Sequence, residues 1–310
     1  MPPSQPWWAP AGVIVRLAAG AVAGGAISAG GNAGRQVGCG HMNRVVPAPD
    51  DRRAFMVMHG KTEQSWVDPS DPLRLEFEYV QRIAEVLDET ILARPLNENL
   101  RVIHVGGGGL TLPRFVAARR PRTAQVVLEP DEELTASVRE KLPLPRNSGI
   151  KVRPVDGRTG VAALPSGCAD TVIVDAFAGA SVPPELATVE FFTEVARTLR
   201  PGGQVVMNLT DSAPFGWAKR CLAGIVATFG EVAVSAEVPV WKGRRFGNFV
   251  AVGGADLPLQ AFERRLQRAG FPYRLLAGRD LARWLAGSGP FTDEDAEGSP
   301  SPAWSRGWFS

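Results

Sequence analysis

Short apolar runs alternate with amphipathic segments between residues 55 and 252 of the chain. The clearest runs are Leu100–Val105, Val126–Leu128 and Thr171–Val174, whose length and β-branched content are typical of buried strands. Other segments carry apolar residues at helical spacing, as residues 73–91 do. Strands that alternate with helices predict a mostly parallel sheet with helices on both faces.

Two pairs of strands with short connections lie at the ends of this pattern. Phe55–Met58 and Gln64–Val67 predict a small N-terminal β-hairpin. Val232–Val238 and Asn248–Val252 are joined by a basic, glycine-containing loop that is too short for a helix, so these strands must pair antiparallel. The pattern predicts an α/β chain with a Rossmann-like class I methyltransferase fold, in which a mostly parallel seven-stranded sheet ends in an antiparallel hairpin.

The two ends of the chain differ from this core in composition. Residues 1–45 combine a Pro- and Trp-rich start with an uncharged Ala/Gly run, and we expect a disordered extension, with the folded protein beginning near Met42. A signal peptide is the alternative, but a positive n-region is nearly absent. We expect residues 46–72 to form the hairpin region, residues 73–287 the methyltransferase-like domain, and residues 288–310 a disordered tail.

Composition and charge are those of an ordinary globular protein. The net charge of +2, from 34 basic and 32 acidic residues, gives no electrostatic footprint for nucleic acid. Three cysteines form no C-x-x-C pair, which suits a reducing cytosol. Three histidines show no metal-ligand spacing, and we expect His104 to be a core or strand-edge residue and not a ligand. These features predict a cytoplasmic protein with no metal, no nucleic-acid partner and no membrane partner.

A run of glycines follows the strand Leu100–Val105 and precedes a helix. Such a run lets the main chain approach a ligand where a Cβ would collide, and the helix directs its N–H groups to the same place. Glu129 ends the next strand, about 20 residues further on, where βαβ units hold ribose hydroxyls. The pattern predicts a nucleoside site, and the alternative is a tight turn with an ordinary surface acid. The glycines are Gly106, Gly107, Gly108 and Gly109.

The same loop argues against a dinucleotide site. Counted from Gly106 and Gly108, the G-x-G-x-x-G fingerprint places Thr111 where the third glycine is needed for close helix packing. The antiparallel hairpin expected at the end of the sheet is also not the outline of an NAD domain. The nucleoside is therefore of another kind.

Six short motifs point to a known family. They are Val105–Gly108 (VGGG), Leu128–Asp131 (LEPD), Val155–Gly157 (VDG), Ile173–Asp175 (IVD), Leu199–Gly203 (LRPGG) and His59–Gln64 (HGKTEQ). With these motifs, residues 55–253 resemble the spermidine/spermine synthase family, the polyamine aminopropyltransferases on the methyltransferase fold. The resemblance implies an S-adenosylmethionine-type co-substrate and residues 73–287 as the nucleoside-binding catalytic domain.

The resemblance also implies how the nucleoside is held. Glu129 would bind the ribose hydroxyls, and Gln64 would lie on the sulfonium side, with the glycine loop beneath. Asp156 would accept a hydrogen bond from the adenine amino group, and Gly157 would lie beside it. Asp-Gly is also a common turn, so a purely local role for Asp156 stays open.

On the substrate side, the resemblance implies that Asp175 binds the attacking amine and acts in catalysis, next to Tyr79. A carboxylate at the end of a central strand lies where α/β sheets place their ligands, and it orients a neutral amine and stabilises the ammonium that forms. The alternative is that Asp175 only caps the turn that follows its strand.

Part of the amine site of the family is missing. The glycine-loop acid that binds the aminopropyl ammonium group is Gly109 here, and the second acid of the D-x-x-D motif is Ala178. The Tyr-His pair of the family reads Tyr79-Val80. These changes indicate a divergent relative with an intact nucleoside half. They also remove the acid that favours decarboxylated S-adenosylmethionine over S-adenosylmethionine.

Two functions follow from the sequence. The first is a spermidine synthase-like transferase of polyamine biosynthesis, which uses S-adenosylmethionine or its decarboxylated form and moves a methyl or aminopropyl group to a small amine. The second is a non-catalytic nucleoside-binding or scaffold protein that has lost the acceptor site. The expected partner is a small-molecule amine. A homodimer is compatible with either function, although no periodicity in the sequence fixes the oligomeric state.

Overall fold

Three N-terminal strands form a small antiparallel sheet in the computed structural model, which describes residues 43–49, 51–59 and 62–302. The sequence predicts two strands here, and the sheet has three. The additional strand comes first in the chain and pairs with the next strand along its whole length. This first strand begins within residues 1–45, so the domain boundary expected at residue 45 is wrong. The rest of that extension, with Met42, lies outside the described residues. The strands are β1 (Asn43–Pro47), β2 (Phe55–His59) and β3 (Thr62–Val67).

A second, larger sheet forms the centre of the fold. Its strands are β4 (Arg101–Val105), β5 (Ala124–Leu128), β6 (Ile150–Arg153), β7 (Ala169–Val174), β8 (Leu199–Asp211), β9 (Val232–Glu237), β10 (Gly247–Gly253) and β11 (Tyr273–Ala277). In the sheet their order is β6-β5-β4-β7-β8-β10-β9-β11. The first five are parallel, and β10, β9 and β11 each pair antiparallel with the strand before them. The predicted class I methyltransferase fold is confirmed, with eight strands instead of seven because β11 extends the sheet.

Nine α-helices are described. They are α1 (Glu78–Glu89), α2 (Thr111–Arg119), α3 (Glu132–Lys141), α4 (Gly157–Ala162), α5 (Val189–Thr198), α6 (Gly216–Phe229), α7 (Val238–Trp241), α8 (Leu259–Leu266) and α9 (Gly278–Leu285). Short 3₁₀ turns occupy Ile91–Ala93 and Pro184–Leu186. The β9–β10 connection was expected to leave no room for a helix, but it holds the single turn of α7. Pro239 at the start of that turn has no N–H to satisfy, which suits the first turn of a helix.

Helices cover both faces of the central sheet. On one face α4, α5, α6 and α9 pack on the strands, and on the other α1, α2 and α8 do. Side chains of β7 point alternately to the two faces of the sheet. Val172 and Val174 belong to the apolar core on the α4, α5, α6 and α9 side, and Ile173 belongs to the core on the α1, α2 and α8 side. Every residue of β7 is buried, as expected for a central parallel strand. The carboxyl end of this strand is therefore held rigidly at the edge of the sheet where ligands bind.

The C-terminal segment 288–302 lies against this core. Phe291 is 1% exposed, its carbonyl accepts the N–H of Val189 at 2.9 Å, and its ring packs near Trp217. The Trp217 indole donates to the carbonyl of Glu297 at 2.8 Å. The expectation of a disordered tail from residue 288 is therefore wrong as far as residue 302. Burial of Phe291 and the contacts of Trp217 on α6 hold the segment in place despite its polar composition. Trp304 and Trp308, further along the same tail, lie outside the described residues.

The helices of the described chain can also be compared with the thickness of a membrane. A spanning helix needs about 20 mostly apolar residues. Within residues 43–302, as far as they are described, no helix combines the required length and apolarity.

Candidate active site

A cavity of about 670 Å³ opens at the carboxyl ends of the parallel strands. Ligands of α/β sheets bind at this edge. Nine of the ten site residues predicted from the sequence line the cavity, and Gly109 is not among the lining residues. The structure thus brings together residues that lie up to 111 positions apart, from Gln64 to Asp175. The nine are Gln64, Tyr79, Gly106, Gly107, Gly108, Glu129, Asp156, Gly157 and Asp175.

The glycine loop forms one wall of the cavity with its main chain. Gly106 has a φ of +93°, and a Cβ there would lie 2.3 Å from the carbonyl oxygen of Asp175. Only glycine fits this position. The N–H groups of Gly107 and Gly108 donate to Glu129 Oε2 at 2.8 and 3.3 Å. The loop and the Glu129 carboxylate are therefore held against each other at the cavity surface.

The small N-terminal sheet is tied to the same wall. Glu129 Oε1 accepts the N–H of Asp131 at 3.0 Å, and the Asp131 carboxylate caps α3 through the N–H of Leu134. Asn43 of β1 donates to that carboxylate, and its side-chain oxygen lies 2.8 Å from His59 Nδ1. The chain of contacts connects β1 and β2 to the strand end that carries Glu129.

Gly109 contacts the small sheet instead of the cavity. Its N–H donates to Ser65 Oγ at 3.0 Å, and a Cβ at residue 109 would lie 2.8 Å from Val67 Cγ2 and 3.1 Å from Val57 Cγ2. The space next to Gly109 is filled by β2 and β3. A direct ligand contact by Gly109, as expected from the sequence, has no support in this geometry.

We predict that Gly109→Asp destabilises the protein and adds no affinity for a cationic ligand. Overpacking of this kind costs about 1–3 kcal/mol. Gly216→Asp is a matched control, because a Cβ at Gly216 meets nothing within 4 Å. Thermal unfolding of both variants checks the prediction. A Gly109→Asp protein that melts with the wild type and binds cations more tightly would contradict the packing seen here.

Asp156 and Gly157 lie after β6 at the start of α4. Asp156 Oδ1 accepts the N–H of Thr159 at 2.8 Å, and this bond contributes most to a pKa lowered below the usual range for Asp156. A Cβ at Gly157 would lie 2.3 Å from Val105 Cγ1 and 3.1 Å from Leu186 Cδ2. Asp156 thus acts as a helix cap, the alternative named above, and at the same time lines the cavity.

Asp175 follows the end of β7 and is oriented by amide side chains. Asn208 on β8 donates from Nδ2 to Asp175 Oδ1 at 2.9 Å, and Asn248 on β10 donates to Asn208 Oδ1 at 2.9 Å. Burial raises the pKa of Asp175 to about 6, against the opposing effect of the Asn208 hydrogen bond. The carboxyl is fixed in place, and it changes its protonation state close to neutral pH.

Tyr79 at the start of α1 faces the same part of the cavity. Burial raises the pKa of the Tyr79 phenol well above its ordinary value, and the nearby charge of Asp175 raises it further. The phenol therefore stays protonated at neutral pH. It can donate a hydrogen bond but cannot act as a base.

Asn208 and Asn248 are site residues that the sequence did not reveal. Both lie within apolar strands, and neither belongs to a recognisable motif. The available signal in the sequence was a polar residue within an otherwise apolar strand. The structure buries this residue, since Asn208 is 1% exposed. Buried amides of this kind are normally hydrogen-bonded, so a partner at the strand edge was to be expected.

The cavity has an acidic lining. Seven of its described lining residues carry carboxylic groups, whereas none is lysine or arginine. This excess of acids favours cationic ligands. Among the described residues, no group of three or more His, Cys, Asp or Glu side chains is arranged to hold a metal ion. The acids are Glu63, Glu76, Glu129, Asp131, Asp156, Asp175 and Glu185.

Comparisons with known proteins extend these observations. No family model matches the chain. A probable spermidine synthase from Corynebacterium glutamicum, known from its crystal structure, is 31% identical, with a TM-score of 0.75 over 81% of this chain and 92% of the other. The structure of a spermidine synthase in complex with the transition-state analogue AdoDATO is 16% identical, with a TM-score of 0.50 over 82% of this chain and 78% of the other, and shows the same fold.

Curated relatives are named as aminopropyltransferases too. A probable polyamine aminopropyl transferase of Bifidobacterium longum is 28% identical over 204 residues, which are 64% of this chain and 45% of that protein. A polyamine aminopropyltransferase of Chromobacterium violaceum is 26% identical over 149 residues, which are 48% of this chain and 54% of that protein. The chain thus spans about half the length of the curated relatives it matches.

Proposed function

The chain belongs to the spermidine synthase family, and from this premise we propose that it is a transferase that moves an aminopropyl group from a sulfonium nucleoside to a small amine. The observation that carries the proposal is the Asp175 carboxyl, which Asn208 orients beside the glycine loop. A pKa of about 6 leaves this group ionised at neutral pH and makes it a better proton acceptor than an ordinary aspartate.

The residues of the chain have a limited task in this reaction. A sulfonium nucleoside supplies both the alkyl group and its own leaving group, so the protein must hold the amine in line and take its proton. Asp175 would orient the neutral amine, and the fixed carboxylate would stabilise the positive charge that develops on nitrogen as the carbon–nitrogen bond forms and the carbon–sulfur bond breaks. The proton passes to Asp175 and then to solvent.

The glycine-loop wall of the cavity suits the nucleoside. The main chain of Gly106 to Gly108 lines the cavity and packs too closely on Asp175, Glu129 and Ser65 to carry side chains. Glu129 presents a carboxylate beside this loop. The acidic lining suits a sulfonium. It also supports the decarboxylated form of S-adenosylmethionine as the donor, since no described lysine or arginine of the lining would meet the carboxylate of S-adenosylmethionine itself.

A non-catalytic nucleoside-binding or scaffold protein is the second candidate. The observation in its favour is the lack of an acid at Gly109 and at Ala178. The protein should be incubated with S-adenosylmethionine or its decarboxylated form and a panel of small amines, and the amines then examined by mass spectrometry. Aminopropylated amine is expected. If the nucleosides bind but no modified amine forms from any member of the panel, the scaffold function is correct.

We predict that Glu129→Ala weakens the binding of 5′-methylthioadenosine by at least tenfold. A hydrogen bond to a charged group is worth about 1.5–3 kcal/mol, or roughly 10- to 150-fold in affinity. Glu132→Ala is the control, because Glu132 is exposed in the first turn of α3 and does not line the cavity. Calorimetry of the two variants checks the prediction. Equal affinities would remove Glu129 from the nucleoside site.

A further inference from the structure

The strand order divides the cavity into two ends. The ends of β4, β5 and β6 lead to the glycine loop, Glu129 and Asp156, which form the nucleoside end of the proposed function. The ends of β7, β8 and β10 form the other end, which we call the acceptor end. Its apolar lining residues are Phe177, Ala178, Phe246 and Pro302, and its polar ones are Asp175, Asn208, Thr210 and Asn248.

Negative charge is distributed unevenly between the two ends. Within the described lining, Asp175 is the one carboxylate of the acceptor end. Glu185 is exposed, and the next residue, Leu186, packs against Gly157 of the nucleoside end. Glu63 and Glu76 are exposed at the mouth, where water screens their charge. A ligand in the acceptor end therefore meets a single charge partner.

The turn that follows Asp175 forms an apolar part of the acceptor end, and hydrogen bonds hold it in place. Ala178 and Ser181 close a tight turn, with N–H to carbonyl bonds of 2.9 and 3.3 Å between them. Gln64 on β3 donates to the carbonyl of Gly179 within this turn at 3.3 Å. Phe177 and Phe246 add aromatic surface beside it. The turn is bonded at both its base and its tip.

The C-terminal segment fixes the same wall from outside. Ser299 is 4% exposed, its hydroxyl accepts the N–H of Val182 at 2.8 Å, and its N–H donates to the carbonyl of Val182 at 3.1 Å. The hydroxyls of Ser301 and Ser181 lie 2.7 Å apart. Pro302, the last described residue, is buried and lines the cavity. Pro302 therefore adds apolar surface to the acceptor end, and the bonds of Ser299 and Ser301 hold it there.

From this arrangement we propose that the acceptor end selects amines with one positive charge and an apolar body over linear diamines. The inference rests on the proposed function, in which Asp175 binds the reacting amine. A second ammonium placed against Ala178 and Pro302 would lose its hydration without gaining a charge partner, which is costly. An alkyl or aromatic group in the same place gains from leaving water.

Butylamine and putrescine provide a matched pair of probes, because they share a four-carbon chain and differ in one terminal ammonium group. Their affinities should be measured by calorimetry on the full chain saturated with 5′-methylthioadenosine. We expect butylamine to bind at least about tenfold more tightly, the lower end for loss of a charged partner. Equal affinities, a preference for putrescine, or no binding of either amine would overturn the inference.

Two variants at one position test the physical cause. Ala178 is exposed to the cavity, so Ala178→Asp adds a charge at the acceptor end, and Ala178→Asn adds the same volume without charge. Ala178→Asp should reverse the preference towards putrescine, and Ala178→Asn should not. Reversal by both variants, or by neither, would contradict an electrostatic origin.

The two proposals fail in different ways. Modified amine formed together with a preference for putrescine would leave the transferase function standing and overturn the inference on selectivity. A preference for butylamine without any modified amine would support the selectivity of the acceptor end and overturn the transfer reaction.

Discussion

Replacing Asp175 with asparagine is expected to lower turnover by about 10²- to 10⁴-fold, the range for loss of a positioned general base. The affinity for 5′-methylthioadenosine should stay within twofold, roughly the error of additivity between separate sites. An asparagine keeps an oxygen to accept the Asn208 hydrogen bond, so the geometry around residue 175 should survive. The change removes the proton acceptor and the negative charge together.

The pH profile gives an independent check on the same residue. Because the pKa of Asp175 is raised to about 6, the carboxyl becomes protonated as the pH falls below that value. Wild-type turnover should then fall by about tenfold for each pH unit below the pKa. The residual activity of Asp175→Asn should lack this inflection. Near-native turnover of the variant, or a wild-type profile that is flat between pH 5 and 7, would show that Asp175 only caps its strand.

The second large effect concerns Phe291. Truncating it to alanine should lower the free energy of unfolding by about 3–5 kcal/mol, the usual cost of removing a buried phenylalanine ring. For a domain of this size that corresponds to a fall in melting temperature on the order of 10 °C. The ring is 1% exposed and belongs to the apolar core between the central sheet and the helices α4, α5, α6 and α9. The expectation follows from burial and does not depend on the function of the protein.

Phe271→Ala is the matched control for this prediction. Phe271 is 38% exposed, so removing its ring should change the melting temperature by no more than a few degrees. Thermal unfolding followed by circular dichroism compares the two variants. Equal, small shifts would mean that the C-terminal segment does not pack on the core and that Pro302 does not line the acceptor end.

The nucleoside half of the site was readable from sequence because its determinants are local. The strand Arg101–Val105, the glycine loop and Glu129 lie within one βαβ unit, where spacing along the chain fixes position in space. The class of fold followed from the alternation of apolar runs in the same way. The helix Gly216–Phe229 was not predicted, since it is apolar around most of its surface and shows little periodicity.

The acceptor half depends on contacts between distant segments, which no local pattern encodes. The Asn208 amide has meaning only when β8 lies beside β7 and places it next to Asp175. The role of Gly109 depended on β3, which fills the space around it. The C-terminal segment has a polar composition typical of disorder, and two aromatic contacts determine that it docks.

Aminopropyl transfer that depends on Asp175 also releases a nucleoside by-product, which can be quantified separately from the amine. Wild type and Asp175→Asn should be incubated with decarboxylated S-adenosylmethionine and the best amine of the panel, and the nucleosides separated and quantified by chromatography with mass detection. The wild type should form 5′-methylthioadenosine in equal amount to the modified amine, and the variant should form both at a rate lower by about 10²-fold or more. Absence of 5′-methylthioadenosine from the wild-type reaction would rule out aminopropyl transfer, and its formation at the same rate by both proteins would rule out a role for Asp175.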